Sequence, residues 1–216
     1  MTPPPLLKIC GLRHPDQAAG VAALGADAIG VIAVPSSPRF VPPEARSALF
    51  AAARSASADC QGVLVVADPG DDQLQELGAH RGHRVIQLHG AESPQRCREL
   101  RERSGCRVWK ALRLRSPHDL DMLADYADAV DALLLDAWVP DQLGGTGHPI
   151  PVDWLEGWSA PLPWWLAGGI RAERLPDLLA RLTPTGLDAS SGVETAPGEK
   201  DLGKVKALVA ALRQGG

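Results

Sequence analysis

The sequence predicts an α/β fold, a (β/α)₈ TIM barrel in which eight parallel strands alternate with eight helices. Short runs rich in Val, Ile and Leu alternate with segments of helical spacing and charged faces, eight times within 216 residues. Strands that are apolar on both faces require a parallel sheet covered by helices. A doubly wound open sheet is the competing arrangement, but eight units leave no surplus strand and no second domain, so the count favours the barrel.

Eight apolar runs are predicted to form the strands. They are Leu6–Gly11, Ala28–Val34, Gly62–Ala67, Arg84–His89, Arg107–Leu112, Ala132–Asp136, Trp164–Ala167 and Gly186–Ala189. Residues 1–5, with three consecutive prolines, are expected to be a frayed lead-in to a single domain spanning residues 1–216.

The intervening segments are predicted to form the helices, and several begin with Ser, Asp or Pro, which suit a first helical turn. The predicted helices are Pro15–Leu24, Pro43–Ser55, Asp72–Ala79, Ser93–Arg103, Pro117–Ala127, Val152–Trp158, Ala172–Leu182 and Asp201–Leu212.

Composition excludes several classes of protein. Lys and Arg total 22 against 26 Asp and Glu, so a net charge of −4 provides no basic surface for nucleic acid. The longest apolar runs are too short to cross a bilayer, and the N-terminus resembles no signal peptide. The four cysteines have no metal-ligand spacing and indicate reduced thiols. We expect a cytoplasmic globular protein with no metal, nucleic-acid or membrane partner.

The first strand ends with Lys8 and Cys10, which period-two alternation places on one face. Because the chemistry of such barrels lies where strands end and loops begin, Cys10 is a candidate catalytic residue. The nearby lysine is expected to favour the thiolate. A lone cysteine is equally a common core residue, so position alone leaves both interpretations open. Cys60, Cys97 and Cys106 are interpreted as core residues.

The sixth strand closes with Asp136 after three leucines. A carboxylate in this place loses solvation unless it is paired or used. One interpretation is a helix cap or a salt bridge to Lys8 or Lys110. The other is a general acid whose pKa is raised by burial, and the position favours it.

Two further strand ends offer groups that suit a ligand. After the second strand, prolines stiffen the loop of Arg39, whose guanidinium can hold a carboxylate or phosphate by two hydrogen bonds. A solvated loop arginine is the alternative. At the fourth strand Gln87 and His89 share a face, and His89 is either a hydrogen-bonded core residue or a ligand contact.

Glycine-rich turns follow the last three strands. Glycine lets backbone N–H groups approach an anion, and the loops after strands 7 and 8 of such barrels often bind phosphate. One turn is a weak indication, but the last two together predict a phosphate site. The candidate ligand-binding residues are Gly145 in the first turn, Gly168 and Gly169 in the second, and Ser190, Ser191 and Gly192 in the third.

Seven fragments occur in the order found in one enzyme family. They are Lys8–Gly11, Gly25–Gly30, Ser37–Val41, Gln87–Gly90, Leu134–Asp136 with Gly144–Gly147, Leu166–Gly169 and Leu187–Glu194. Together they resemble phosphoribosylanthranilate isomerase, the enzyme of the third step from chorismate to tryptophan. The resemblance runs from residue 8 to residue 201, nearly the whole chain.

The resemblance implies an Amadori rearrangement without a cofactor, from N-(5-phosphoribosyl)anthranilate to 1-(2-carboxyphenylamino)-1-deoxyribulose 5-phosphate. It implies that Asp136 is the general acid that protonates the furanose ring oxygen. Cys10 would be the general base that removes the C2 proton. Arg39 would contact the anthranilate moiety, and the turns after strands 7 and 8 would hold the phosphate. A monomer or homodimer acting on a small phosphorylated substrate is expected.

Two segments depart from the family pattern. Val31 and Ala33 stand where family members often carry bulky aromatic residues, and the stretch 148–154 is longer; both changes are expected to repack the aromatic end of the pocket.

One alternative function is that of an aminoaldose isomerase of the histidine pathway. Those enzymes look as if they carry an aspartate at the position of Cys10, which disfavours this alternative. A non-catalytic binder of a phosphorylated ligand is the other.

Overall fold

The computed structural model describes residues 3–139 and 147–214. Its eight parallel strands form a closed barrel, which confirms the predicted fold class. In chain order they are β1 (Leu6–Cys10), β2 (Ala28–Ile32), β3 (Gln61–Val66), β4 (Val85–Leu88), β5 (Arg107–Leu114), β6 (Ala132–Ala137), β7 (Trp164–Ala167) and β8 (Gly186–Ala189). Pairing of β1 with β8, with Leu6 opposite Gly186, closes the barrel. Every predicted strand is present, with ends within two residues of the predicted bounds.

Side chains fill the barrel interior. Small residues alternate with large ones, and the indole rings of Trp109 and Trp165 stack with their centroids 4.6 Å apart. This packing closes the body of the barrel, so we expect a ligand to bind where the strands end. The buried interior cluster consists of Ala28, Val63, Val85, Trp109, Ala111, Ala132, Leu134, Trp165 and Ala167.

Helices cover the outside of the barrel and bury a second, larger apolar cluster between helices and strands. Ser93 caps one of them, its hydroxyl oxygen accepting the N–H of Arg96 at 3.2 Å, and prolines occupy the first turns of others, as predicted. The α-helices among the described residues are α1 (Pro15–Ala23), α2 (Pro43–Ala56), α3 (Leu74–Leu77), α4 (Pro94–Ser104), α5 (Leu175–Leu179) and α6 (Leu202–Gln214).

Four of the predicted helices are wrong in type or extent. A 3₁₀ helix rises about 2.0 Å per residue against about 1.5 Å for an α-helix, so it spans a short gap with fewer residues. The predicted Val152–Trp158 also stops early, since Gly157 has a φ of 75°. In their place the structure has 3₁₀ segments at Asp71–Gln73, Ala79–Arg81, Pro117–Tyr126, Val152–Trp154 and Ala172–Arg174, with α3 and α5 reduced to short helices.

A small antiparallel hairpin follows β8 and was not predicted. It consists of β9 (Glu194–Ala196) and β10 (Glu199–Lys200), which are too short to show a period in the sequence. Residues 3–5 form no strand or helix, and residues 1 and 2 of the predicted lead-in lie outside the described residues. Within the described ranges, no helix combines the length and apolar content needed to cross a membrane.

Candidate active site

A cavity of about 380 Å³ opens where the barrel strands end. Ten of the eleven residues assigned from the sequence line it, although they come from six different strand ends. Gly145, with the rest of its turn at 144–146, lies outside the described residues. The ten are Cys10, Arg39, Gln87, His89, Asp136, Gly168, Gly169, Ser190, Ser191 and Gly192.

Asp136 is a buried carboxyl group in β6. Loss of solvation raises its pKa to about 7, and the nearby negative charge of Asp188 adds to the effect. The backbone N–H of Ala137 donates to Asp136 Oδ1 at 2.9 Å and opposes part of the shift. The two lysines considered as partners, Lys8 and Lys110, pair with other carboxylates. Near neutral pH this carboxyl can therefore donate a proton.

Cys10 lies beside a buried ion pair. Lys8 Nζ donates to Asp188 Oδ2 at 2.9 Å, and the two side chains are 0% and 8% exposed. Burial disfavours the Lys8 ammonium, but the charges of Asp188 and Cys10 outweigh it and raise the lysine pKa. Burial also raises the pKa of the Cys10 thiol, against the opposing charge of Lys8. Lys8 favours the Cys10 thiolate, as expected, but loss of solvation outweighs the lysine, so the pKa of the thiol is above its ordinary value in the free protein.

Gln87 and His89 are joined side by side at the end of β4. Gln87 Nε2 lies 3.2 Å from His89 Nδ1, and since the amide nitrogen only donates, Nδ1 accepts. Burial, reinforced by the charges of Lys8 and Lys110, lowers the His89 pKa to about 3, so the ring is neutral and carries its proton on Nε2. Gln87 Oε1 and His89 Nε2 are buried and have no partner among the described residues.

The turns after β7 and β8 present backbone donors to the cavity. The N–H groups of Gly168, Gly169, Ser191 and Gly192 make no hydrogen bond within the part of the chain that the structure describes. The carbonyl oxygens of Gly168 and Gly169 instead accept from Arg174 Nη1, which does not line the cavity. This arrangement suits an anion such as phosphate.

Glycine is required at the first of these turns. Gly168 has a φ of 89°, and a Cβ built there would lie 2.3 Å from the carbonyl oxygen of His148 and 3.3 Å from Asp136 Oδ1. The close approach of these three segments brings the phosphate-type donors next to the acidic carboxyl.

Arg39 is buried, so the alternative of a solvated loop arginine is wrong. Its Nε and Nη2 donate to the two carboxylate oxygens of Glu194 at 2.8 and 2.7 Å. Hydrogen bonding to Glu194 raises the pKa of the guanidinium, which remains charged. The Nε–Nη2 edge of the guanidinium is therefore occupied by Glu194 of the same chain.

The departure noted in β2 does not reach the cavity. Ile32 and Val34 line it, whereas Val31 is a fully buried member of the outer apolar cluster and Ala33 packs against that cluster. The expectation that Val31 and Ala33 repack the pocket is wrong, because successive strand residues point to opposite faces. From the longer stretch 148–154, no residue lines this cavity.

Sequence reasoning missed Asp188, Glu194 and Lys200. Asp188 lines the cavity, and its Oδ1 is buried without a partner among the described residues. Period-two alternation along β8 places it on the face of Ser190 and is a signal that could have found it. Glu194 closes the fragment Leu187–Glu194 of the family resemblance, but no role was assigned to it. No local pattern marks Lys200, and both residues lie behind Arg39. Among the described residues, no three His, Cys, Asp or Glu side chains are grouped to hold a metal ion.

Comparison with known proteins agrees with this arrangement. The model of the N-(5'phosphoribosyl)anthranilate (PRA) isomerase family matches residues 7–211. The chain belongs to the phosphoribosylanthranilate isomerase family. A relative, the N-(5'-phosphoribosyl)anthranilate isomerase of Rippkaea orientalis, is 44% identical over 209 residues that cover 96% of this chain and 96% of the relative.

Solved structures of this family share the fold. The phosphoribosyl anthranilate isomerase from Thermus thermophilus superimposes with a TM-score of 0.80 at 36% identity, covering 97% of this chain and 98% of that chain. A phosphoribosyl anthranilate isomerase in complex with reduced 1-(o-carboxyphenylamino)-1-deoxyribulose 5-phosphate has a TM-score of 0.79 at 24% identity and covers 97% and 99% of the two chains. The family resemblance of the sequence is confirmed, and the chain is an enzyme of the isomerase class.

Proposed function

We propose that this isomerase rearranges N-(5-phosphoribosyl)anthranilate to 1-(2-carboxyphenylamino)-1-deoxyribulose 5-phosphate in tryptophan biosynthesis. The observation that carries the proposal is one cavity lined by a carboxyl with a pKa near 7 and by a thiol, beside a cradle of free backbone donors. The reduced product analogue in a family member's structure supports the same substrate class.

Asp136 is the general acid of the proposed reaction. Its proton passes to the furanose ring oxygen, the C1–O bond breaks, and the anilino nitrogen supplies electrons to form a protonated Schiff base at C1. A general acid works best when its pKa lies near the operating pH, and burial brings Asp136 there. The carboxylate left behind is stabilised by the Ala137 N–H that donates to Oδ1.

Cys10 is the general base. Its thiolate removes the C2 proton, the electron pair forms the C1–C2 double bond of an enolamine, and the Schiff-base nitrogen is neutralised. Tautomerisation then places a proton on C1 and converts the C2 hydroxyl to the ketone, so atoms balance without a cofactor. The Lys8 ammonium stabilises the thiolate by charge, which offsets part of the cost of burial.

The sugar hydroxyls are held by three groups without partners among the described residues. His89 Nε2 carries a proton and donates, whereas Gln87 Oε1 and Asp188 Oδ1 accept. A hydroxyl group both donates and accepts, so one donor and two acceptors suit a chain of sugar hydroxyls. The phosphate lies on the N–H groups of Gly168, Gly169, Ser190, Ser191 and Gly192, and Arg39 faces the anthranilate carboxylate.

The deciding experiment is a turnover assay that follows the loss of anthranilate-type fluorescence. We expect turnover by the wild-type protein, and a fall of at least about 10²-fold in Cys10→Ser and in Asp136→Asn, the lower end for general acid–base catalysis. Cys60→Ser changes a buried thiol outside the cavity and is the matched control. Absence of turnover with this substrate, or turnover only with a histidine-pathway aminoaldose, would refute the proposal.

The single-domain organisation over residues 1–216, the cytoplasmic location and the monomeric or homodimeric state stay predictions, as does the absence of nucleic-acid and membrane partners. Sedimentation of the purified protein at several concentrations measures the oligomeric state.

A further inference from the structure

The contact between Arg39 and Glu194 joins two distant parts of the chain behind the cavity wall. Both side chains are almost fully buried, at 8% and 4% exposed, and the two hydrogen bonds measure 2.8 and 2.7 Å. Arg39 lines the cavity, whereas Glu194 does not. Arg39 therefore stands between Glu194 and the cavity.

Glu194 is itself held from the other side. Lys200 Nζ and the N–H of Gly198, at 3.0 Å, both donate to Glu194 Oε1. These donors belong to the hairpin of β9 and β10, so a rigid element fixes the carboxylate. Burial opposes its ionisation, but hydrogen bonds from Arg39 and the charge of Lys200 outweigh that and hold the Glu194 pKa below its ordinary value.

The guanidinium has a second edge that remains available. Glu194 occupies the Nε–Nη2 edge, and Arg39 Nη1 makes no hydrogen bond among the described residues. A planar guanidinium presents five N–H donors, so a second carboxylate can bind across Nη1 and Nη2. Arg39 and Lys200 carry two positive charges and Glu194 carries one negative charge. This group therefore has a net charge of one positive, which can attract an anion.

The approach of Arg39 is also built into the backbone. Gly11 has a φ of 82°, and a Cβ there would lie 2.4 Å from Arg39 Cδ. The loop after β1 thus confines the stem of the side chain while Glu194 fixes its head. A side chain held at both points has one orientation at the cavity wall.

We infer that Glu194 is a positioning residue that selects for substrates bearing an aromatic carboxylate, by fixing Arg39 so that its Nη1–Nη2 edge faces the cavity. The inference rests on the proposed function, since it concerns the anthranilate end of that substrate. Two other roles make different predictions: Glu194 as a counter-charge that weakens anion binding, and Glu194 as a structural contact without effect on the ligand.

The test compares a sugar phosphate that carries the anthranilate group with one that lacks it. Calorimetry measures the Kd of reduced 1-(o-carboxyphenylamino)-1-deoxyribulose 5-phosphate and of ribulose 5-phosphate for the wild-type protein and for Glu194→Gln. In Glu194→Gln we expect the Kd of the reduced analogue to rise about tenfold or more, which is the effect of losing a charge-assisted hydrogen bond. The Kd of ribulose 5-phosphate should stay within about twofold of the wild-type value. KM for the substrate should rise similarly while kcat changes less than about threefold.

A counter-charge role would instead tighten both ligands, because Glu194→Gln leaves two cations without their carboxylate. A structural role would lower the melting temperature and leave both Kd values unchanged. Either result overturns the inference. Glu199→Gln, which alters a partly exposed carboxylate on the same hairpin, is the matched control and should change neither ligand.

Two further variants allow the test if Glu194→Gln alone does not fold. Arg39→Ala and Arg39→Ala/Glu194→Gln contain no unpaired buried guanidinium. If Glu194 acts through Arg39, the two variants bind the reduced analogue equally, whereas a further loss in the double variant overturns the inference. Failure of the proposed function is distinct, because then the wild-type protein itself does not turn over the anthranilate substrate.

Discussion

Two buried lysine–carboxylate pairs in this barrel differ in how completely their hydrogen bonds are satisfied. In one, Lys110 Nζ donates to Glu92 Oε2 at 2.6 Å and to the carbonyl of Gly90 at 2.7 Å, and Glu92 Oε1 accepts the N–H groups of Asp68 and Gly90. We call this the closed pair. Neither of its members lines the cavity.

The other pair, Lys8 with Asp188, we call the open pair. Asp188 lines the cavity. Its Oδ2 accepts from Lys8 at 2.9 Å, but its Oδ1 is buried and has no partner among the described residues. An unsatisfied buried acceptor costs about 1–3 kcal/mol and persists where the structure uses it. The same chemical pair therefore holds a loop where its hydrogen bonds are saturated and offers a binding group where they are not.

The largest expected difference between the two pairs is in how alkylation of the cysteine beside each pair affects turnover. Cys10 lies beside the open pair on the cavity, whereas Cys97 is fully buried beside the closed pair, its Sγ 4.0 Å from the Glu92 carbonyl. Iodoacetamide should abolish turnover by modifying Cys10, faster at higher pH, and bound product should protect it. Mass spectrometry of the modified peptide identifies the thiol. If a variant lacking Cys60, Cys97 and Cys106 resists inactivation, the assignment is wrong.

Substitution of one carboxylate in each pair should separate their effects on catalysis. Asp188→Asn should lower kcat/KM by about 10–100-fold, since a charged acceptor for the sugar is lost, and it should also lower stability, because it leaves the Lys8 charge buried and unpaired. Glu92→Gln should cost about 3–5 kcal/mol of unfolding free energy, because it leaves the Lys110 charge buried and unpaired, but it should change kcat/KM little. Urea unfolding and steady-state kinetics measure the two effects. An equal loss of kcat/KM in the two variants would remove the distinction between the pairs.

The pH dependence of kcat/KM tests whether the charge of Asp188 in the open pair raises the pKa of Asp136. The active form has Asp136 protonated and Cys10 ionised, so a pKa of about 7 for Asp136 and a raised pKa for Cys10 predict a bell. With rising pH, kcat/KM should increase about tenfold per unit below pH 7, stay level between the two pKa values, and fall above the Cys10 pKa. Because the charge of Asp188 helps raise the Asp136 pKa, Asp188→Asn should move the acid limb to lower pH. Glu92→Gln, at the closed pair, should not move it.

A further expected effect is a dependence of stability on pH near the open pair. Asp136 has a folded pKa of about 7 against 3.8 for the ordinary group. The unfolded chain therefore releases its proton first, and stability is lost as pH rises from 3.8 to about 7, by up to about 4 kcal/mol. Asp136→Asn should raise the melting temperature at pH 8 and change it little at pH 4. An equal shift at both pH values would contradict the buried, raised pKa.

The local pattern of the sequence predicted the strands and the faces of their side chains. Runs of Val, Ile and Leu mark the strands, and a period of two places Lys8 with Cys10, and Gln87 with His89, on one face of their strands. These inferences succeed because strand alternation is a property of the backbone over a few residues. The helical period failed at Pro117–Tyr126, where a 3₁₀ segment replaces the predicted α-helix, because periods of about 3.0 and about 3.6 residues per turn are hard to separate over so short a segment.

The sequence by itself determined the barrel, the family and ten of the residues that line the cavity, but not Asp188. Only the tertiary structure decided their partners and charges. Lys8 meets Asp188 180 residues later and Arg39 meets Glu194 155 residues later, because closure of the barrel brings its last strand, and the hairpin that follows it, against its first. The raised pKa of Asp136 and the protonated Cys10 follow from burial, which no local pattern specifies, since loss of solvation depends on everything packed around the group.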